Sequence, residues 1–399
     1  MRSADARRIL IAQGVRAFLY GLGAVLLGTM LPRLDFSAVD VGIVLGAVVT
    51  GTVVSSIAVA RYGDRWGRRR WYVGLFLALA PVGIVFAFAD QVWLLSLAAL
   101  LGVLSTEVVE SGPFTSLEQA MLASELEGQE LVRVLGVYNA VATAAGAVGA
   151  LAAGLPALVR DGWVSAPSDQ RWFLLLVPGA IIGAAFARTL SPSVEAPIRT
   201  DRPEGLTRSR SVVTRIAALF ALDSFGGGFV VQSFLAYWMV ERFDASVGTI
   251  GVVFFAVGVL QTASFLLAPR VAKRFGLVPT MVFTHLPSNV LLLALAFAPS
   301  LGIAIALLLV RTCLAQMDVP TRQAYVMAVV EPSERVAAAA YTNTARYAAR
   351  PLAPVLAGAA SSVTLGLPLV IGGVLKGVYD LLLWRSFGSR ATATLRETR

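Results

Sequence analysis

Apolar runs of about twenty residues recur along the entire chain, and nothing else in the sequence limits its fold as severely. A run of that length crosses the ~30 Å hydrocarbon core of a bilayer as a helix. Twelve can be placed, at residues 9–31, 41–60, 71–89, 92–121, 131–158, 172–190, 216–240, 247–268, 278–298, 301–330, 336–360 and 367–384. Charged residues make up only 14% of the 399, against roughly 25% in soluble domains. The reading is an all-α integral membrane protein of twelve transmembrane helices. The basic start, Arg2 with Arg7 and Arg8, leads into a full-length apolar run, so it reads as a first span and not as a removed leader.

The distribution of basic residues orients the helices. Lys and Arg in short loops remain cytoplasmic. With both termini inside, most of the 33 Lys and Arg fall in cytoplasmic segments, including two between spans ten and eleven. Only Arg33, Arg160, Arg171 and Arg242 fall outside, and Arg16, Arg311, Arg346, Arg350 and Lys376 lie within spans. The net charge of +9 therefore faces anionic lipid rather than nucleic acid. A single cysteine, Cys313, excludes an internal disulfide, and a single histidine, His285, leaves no metal-binding cluster. No GxxxxGK[ST] loop and no Ser/His/Asp set occurs, so neither ATP hydrolysis nor another enzymatic activity is expected, and no cofactor.

Between spans two and three, residues 61–70 read RYGDRWGRRR. Asp64, Arg65, Gly67, Arg68 and Arg69 give the order D-R-x-G-R-R. This resembles the cytoplasmic signature of the major facilitator superfamily of secondary transporters, with Ala60 where the family form usually begins with Gly. The resemblance implies two pseudo-symmetric six-helix halves: residues 1–190 and 214–399, joined by a cytoplasmic linker at 191–213. That linker is the one long polar stretch, rich in proline and charge. Internal repetition agrees. Arg33, Asp35 and Ser37 match Arg242, Asp244 and Ser246 at an offset of 209, and Gly67 meets Gly276. Gln119 and Ala120 match Gln323 and Ala324 at 204.

A charge inside a span costs from roughly 3 kcal/mol upward unless it meets a partner or water. Arg16, Asp223, Arg311, Arg346 and Arg350 come near mid-span and are the candidates for lining a substrate cavity. The resemblance implies that spans one, four, seven and ten line it, and each carries a charge: Arg16, Glu107 with Glu110, Asp223, and Arg311. Glu107, Glu110 and Asp223 are the candidate proton carriers, because burial favours the protonated carboxyl. Arg346 and Arg350 share a helix face, suited either to an anion or to pairing with Glu107, Glu110 or Asp223. Lys376 and Asp380, also four apart, are expected to satisfy each other, and His285 to be interfacial or packed. Gly146, Gly149 and Gly154 in span five suit close helix packing.

The resemblance also implies a cytoplasmic gate: Asp64 facing the start of span eleven at Pro332 and Ser333, with Arg65 or Arg68 reaching Glu118. The expected activity is secondary active transport by alternating access. It would be proton-coupled and carry a small organic, anionic solute. Proton-driven export of amphipathic compounds and a non-transporting receptor or scaffold are the alternatives. The expected setting is a monomer in a bacterial-type plasma membrane, with lipid, solute and protons as partners. The charge bias makes one direct prediction. A cysteine introduced at residue 200 should be labelled by an impermeant reagent only from the cytoplasmic side, and one at residue 161 only from outside.

Overall fold

The computed structural model describes residues 4–105, 112–126, 128–156, 159, 168–195, 206–331 and 334–397. Among these the regular structure is entirely helical. The principal helices are α1 (Ala4–Met30), α2 (Ala38–Trp66), α3 (Arg68–Phe88), α4 (Val92–Ala99), α5 (Gly112–Glu125), α6 (Gly128–Ala152), α7 (Leu176–Arg188) and α8 (Arg210–Gly228). They continue with α9 (Gln232–Phe243), α10 (Val247–Phe275), α11 (Leu277–Ala296), α12 (Leu301–Ala315), α13 (Asp318–Val329), α14 (Arg335–Ala349), α15 (Leu352–Ser361) and α16 (Leu367–Glu397). They form two compact units, one of residues 1–200 with 231–258, the other of residues 201–230 with 259–399.

The first unit is built on α1. Its backbone touches that of α6: a Cβ on Gly21 would lie 1.9 Å from the carbonyl oxygen of Gly146, and one on Gly149 would lie 1.9 Å from that of Phe18. Two of the three span-five glycines singled out by sequence are thus contact points between helices. Behind them Tyr20, Tyr72, Phe76 and Phe114 meet edge to face, with centroids 4.9–6.5 Å apart. The second unit packs Ile216 and Phe220 of α8 against Met281 of α11, Tyr325 of α13 and Tyr379 and Leu383 of α16. Large apolar side chains such as Val54, Leu77, Leu266, Phe283 and Val290 stay exposed, as lipid-facing residues do.

The repeated turns keep their conformations. Asp35 and Asp244 are both left-handed, with φ of 56° and 51°. Ser37 and Ser246 then each accept from a backbone N–H three residues on. Gly67 and Gly276 open α3 and α11 at φ of 95° and 89°, where a side chain would be strained.

Ten stretches are long and apolar enough to cross a membrane as helices among the described residues. Spans four and eleven are absent from that set, and each is interrupted among the described residues. In span eleven, Pro351 separates α14 from α15, removing an N–H from the ladder. In span four, α4 ends at Ala99 and α5 begins at Gly112. Gly102 has φ of 71°, and a Cβ there would lie 2.0 Å from the carbonyl oxygen of Gly51. Carbonyls freed by the break find side-chain donors: Ser55 donates to Leu101, Tyr20 to Val103 and Thr52 to Leu104. That is what non-helical backbone at membrane depth requires. Gly102→Ala should lower stability by about 2 kcal/mol or more through φ strain and overpacking, read as a fall in the thermal unfolding midpoint in detergent.

Candidate functional site

Each unit buries a cluster of charge. In the first, Arg16 and Glu118 are wholly enclosed. Arg16 Nη2 donates to Glu118 Oε2 at 2.7 Å, and Nε reaches Oε1 at 3.4 Å. The Tyr72 hydroxyl donates to Oε1 at 2.7 Å and the Tyr138 hydroxyl to Oε2 at 2.6 Å. The guanidinium carbon lies 5.2 and 5.3 Å from the centroids of Tyr20 and Phe114. One cation meets one carboxylate, and the carboxylate's remaining lone pairs are taken by tyrosines. This changes two assignments. Arg16, expected to line a cavity, is committed to Glu118. Glu118, expected beside Arg65 or Arg68, faces inward because its carboxylate is the countercharge that Arg16 needs.

The second unit is richer. Asp223 on α8 accepts from Arg322 Nη1 at 3.3 Å and from Lys376 Nζ. The same Arg322 nitrogen donates to Asp318 at 2.9 Å, one turn earlier on α13. The imidazole Nδ1 of His285 lies 2.9 Å from Asp380 Oδ1, and its Nε2 lies 3.9 Å from Asp223. Asn289 donates to the other Asp380 oxygen at 2.8 Å. Every one of these side chains is buried. The expected Lys376–Asp380 pair is therefore not formed: Lys376 turns to Asp223 and Asp380 to His285. His285 is packed inside, as expected, with two carboxylates near its ring. Arg322 is the residue that sequence reasoning missed. The charge count puts it with the cytoplasmic residues between spans ten and eleven although the span as placed, 301–330, contains it; it lies within the Leu301–Val329 stretch, its guanidinium 5.3 Å from the Phe220 ring. The repeat held the signal, since residue 322 is 204 after Glu118, the offset already seen for Gln119 and Gln323.

The two clusters are related by an exchange of sign. The first long helix of one unit carries Arg16 and that of the other Asp223; their partners on the corresponding later helices are Glu118 and Arg322. Each guanidinium also lies by a phenylalanine, Phe114 or Phe220.

Arg311 on α12 is half-buried. Among the described residues it forms no ion pair within 4.0 Å, although it acts electrostatically on Asp223. Arg346 and Arg350 are half-buried at the end of α14, beside the Pro351 break. Glu107 and Glu110 lie outside the described residues, as do Pro332 and Ser333.

The signature stretch braces the first unit from its end. Arg68 Nε donates to Asp64 at 2.6 Å, and Arg68 Nη1 to the Ala120 carbonyl at 3.1 Å. Arg69 donates to the Leu190 carbonyl at 2.9 Å. The Glu195 carboxylate accepts from the backbone N–H groups of Arg68 and Arg69, at 2.6 and 3.2 Å, at the start of α3. Arg65 is exposed. In the second unit Glu334 plays a similar capping part. It accepts from the Thr207 hydroxyl and from the backbone N–H groups of Thr207, Arg208 and Ser209. These bonds, led by the Thr207 hydroxyl, hold its carboxyl well below the usual range.

The sequence profile of the Major Facilitator Superfamily matches residues 9–386. The chain belongs to the major facilitator superfamily. The superfamily fold is seen in the nucleoside transporter NupG, with a TM-score of 0.72 at 15% identity over 97% of this chain and 99% of that one. It is also seen in the xylose transporter XylE from E. coli, with a TM-score of 0.74 at 13% identity over 96% of this chain and 98% of that one. An uncharacterized membrane protein of Saccharomyces cerevisiae, YJR124C, is 25% identical over 96% of this chain and 93% of its own length. The superfamily's twelve-helix plan accounts for the short and broken helices at spans four and eleven. Removing one partner of a buried ion pair costs about 3–5 kcal/mol. Glu118→Ala should therefore destabilise the protein by about that much, read from thermal unfolding in detergent, whereas Asp64→Ala should change it by less than about 1 kcal/mol.

Proposed function

We propose that the protein is a proton-coupled secondary transporter that moves a small organic anion by alternating access. The observation that carries this reading is the imbalance between the two charge clusters. The Arg16–Glu118 pair sets one cation on one carboxylate, and it suits a fixed structural tie. The second unit holds three buried carboxylates, a histidine between two of them, and Arg311, a half-buried guanidinium with no ion pair among the described residues. Buried charge of that kind is costly, and a purely structural role is better served by apolar packing. Setting which helices meet needs no more than the single pair of the first unit, so a scaffold or receptor role leaves the rest of this charge unexplained.

Arg311, Arg346 and Arg350 are the solute-binding side chains in this reading, since guanidinium forks match carboxylate or phosphate geometry. Asp223, Glu107 and Glu110 are the carboxylates assigned to proton coupling, as carriers or as partners of the group that carries the proton. Asp64, Arg65, Gly67, Arg68 and Arg69 form the cytoplasmic latch that must open and close in the cycle. The protein works as a monomer in a bacterial-type plasma membrane with both termini in the cytoplasm. Export of amphipathic compounds, the rival reading, rests on Glu107 and Glu110.

The test is transport by purified protein in liposomes with a trapped pH-sensitive dye. Inward gradients of a panel of organic acids, sugars, nucleosides and lipophilic amines are imposed in turn. An organic acid should move protons, with Arg346→Gln and Arg350→Gln reducing the rate at least tenfold. Asp64→Asn should slow it without changing the half-saturating solute concentration. Proton movement with the lipophilic amines alone would select the exporter. No movement with any solute, in protein shown to be folded, would sink the transporter reading.

A further inference from the structure

The second cluster contains an arithmetic of charge that names its proton site. Of the three carboxylates Asp223, Asp318 and Asp380, the first two share two fixed cations, Arg322 and Lys376, at ion-pair distance, and Asp380 meets neither. A further positive charge, Arg311, acts on Asp223 through space and forms an ion pair with none of the three. The other group able to supply one is His285, its two ring nitrogens directed at Asp380 and Asp223.

We propose that His285 is the exchangeable proton site and that its occupancy is tied to an anion on Arg311. While Arg311 has no ligand, its charge completes the neutrality of the cluster and His285 is neutral. An anion paired with Arg311 cancels that contribution. The three carboxylates then exceed their cations by one, and a proton taken from water restores the balance on the imidazole. It gives Nδ1–H to Asp380 and Nε2–H to Asp223. Release of the anion returns the proton to water. Anion and proton are thereby bound together and lost together. By linkage, each raises the affinity for the other by the same factor.

The surroundings of the imidazole fit this use. From α8 it faces Asp223 and from α16 Asp380 and Tyr379; Asp223 is in turn bound by Lys376 of α16 and Arg322 of α13, and Arg322 by Asp318. On its own helix, Asn289 holds Asp380 in place. The Tyr379 ring stands edge-on at 5.9 Å and keeps the imidazole from turning freely. The group that couples lies on α11, outside the four spans that the resemblance implies line the cavity.

This inference rests on the transporter reading but is tested apart from it, because the chain has one histidine. Protein labelled with 15N-histidine, its purification tag removed, is placed in lipid nanodiscs. Its single imidazole is observed from pH 5 to pH 9 by solid-state NMR. Arg311→Gln and Arg311→Met both mimic a cancelled Arg311 charge, and Arg311→Lys preserves it. In both neutral variants the pH at which half of His285 is imidazolium should rise by at least one unit, a tenfold gain in proton affinity. Arg311→Lys should match the parent, and Asp380→Asn should shift the same reading the other way. An imidazole that does not titrate in this range in the parent overturns the proposal, as does one unmoved in whichever neutral variant folds. If it fails while liposomes still move protons with an organic acid, the coupling group is elsewhere and the transporter reading stands.

Discussion

A charge held in hydrocarbon must be neutralised by its neighbours, and much of this structure follows from that requirement. Water cannot serve, and neither can lipid. In the first unit the requirement fixes α1 against α3, α5 and α6, because Arg16 draws in Glu118, and Glu118 draws in the hydroxyls of Tyr72 and Tyr138. In the second it gathers α8, α11, α13 and α16 around Asp223. Apolar packing gives both units their bulk, but it is poor at specifying which helix meets which when lipid is as apolar as the partner. The buried ions supply that specificity.

The same demand for satisfied polar groups governs the breaks in the helices. Where α4 stops, the freed carbonyls are not left bare; Tyr20, Thr52 and Ser55 reach them from α1 and α2. Tyr20 thus serves twice, lending its ring to Arg16 and its hydroxyl to Val103. The ends of the helices are handled by a different set. Glu195 and Glu334, neither of them within a span, accept backbone N–H groups of the signature stretch and of the linker.

Most of the fold was legible in the sequence because hydropathy and loop charge report directly on the bilayer. The repeated turns were legible too: Asp35 and Asp244, and Gly67 and Gly276, keep unusual backbone conformations that few other residues allow. The broken fourth span was not, since Gly102 lies in an apolar stretch whose hydropathy continues past it. Within the site, sequence reasoning selected Arg16, Asp223 and Glu118 and separated the first from the third. Helical spacing reports which residues share a face of one helix, so it suggested Lys376 with Asp380. It does not report which carboxylate across the interface competes for the ammonium, and Asp223 won. Arg322 escaped because its flanking residues are polar, so that a mid-cluster arginine looked like the edge of a loop.

The exchange of sign between the two clusters bears on how such a chain came to be. If the halves descend from one duplicated unit, Arg over Glu in one copy and Asp under Arg in the other cannot be joined by single charge-reversing steps. Each such step alone would place two like charges in the interior. The path must run through a stage in which at least one member of the pair was uncharged. The Arg16–Glu118 pair has few neighbours beyond tyrosine hydroxyls and aromatic rings, and it keeps the arrangement of a closed, finished contact. The Asp223–Arg322 pair has instead accumulated Lys376, Asp318, His285 and Asp380 around it. The two halves thus carry the same kind of pair in different company, a lone tie in one and a network of four further ionisable side chains in the other.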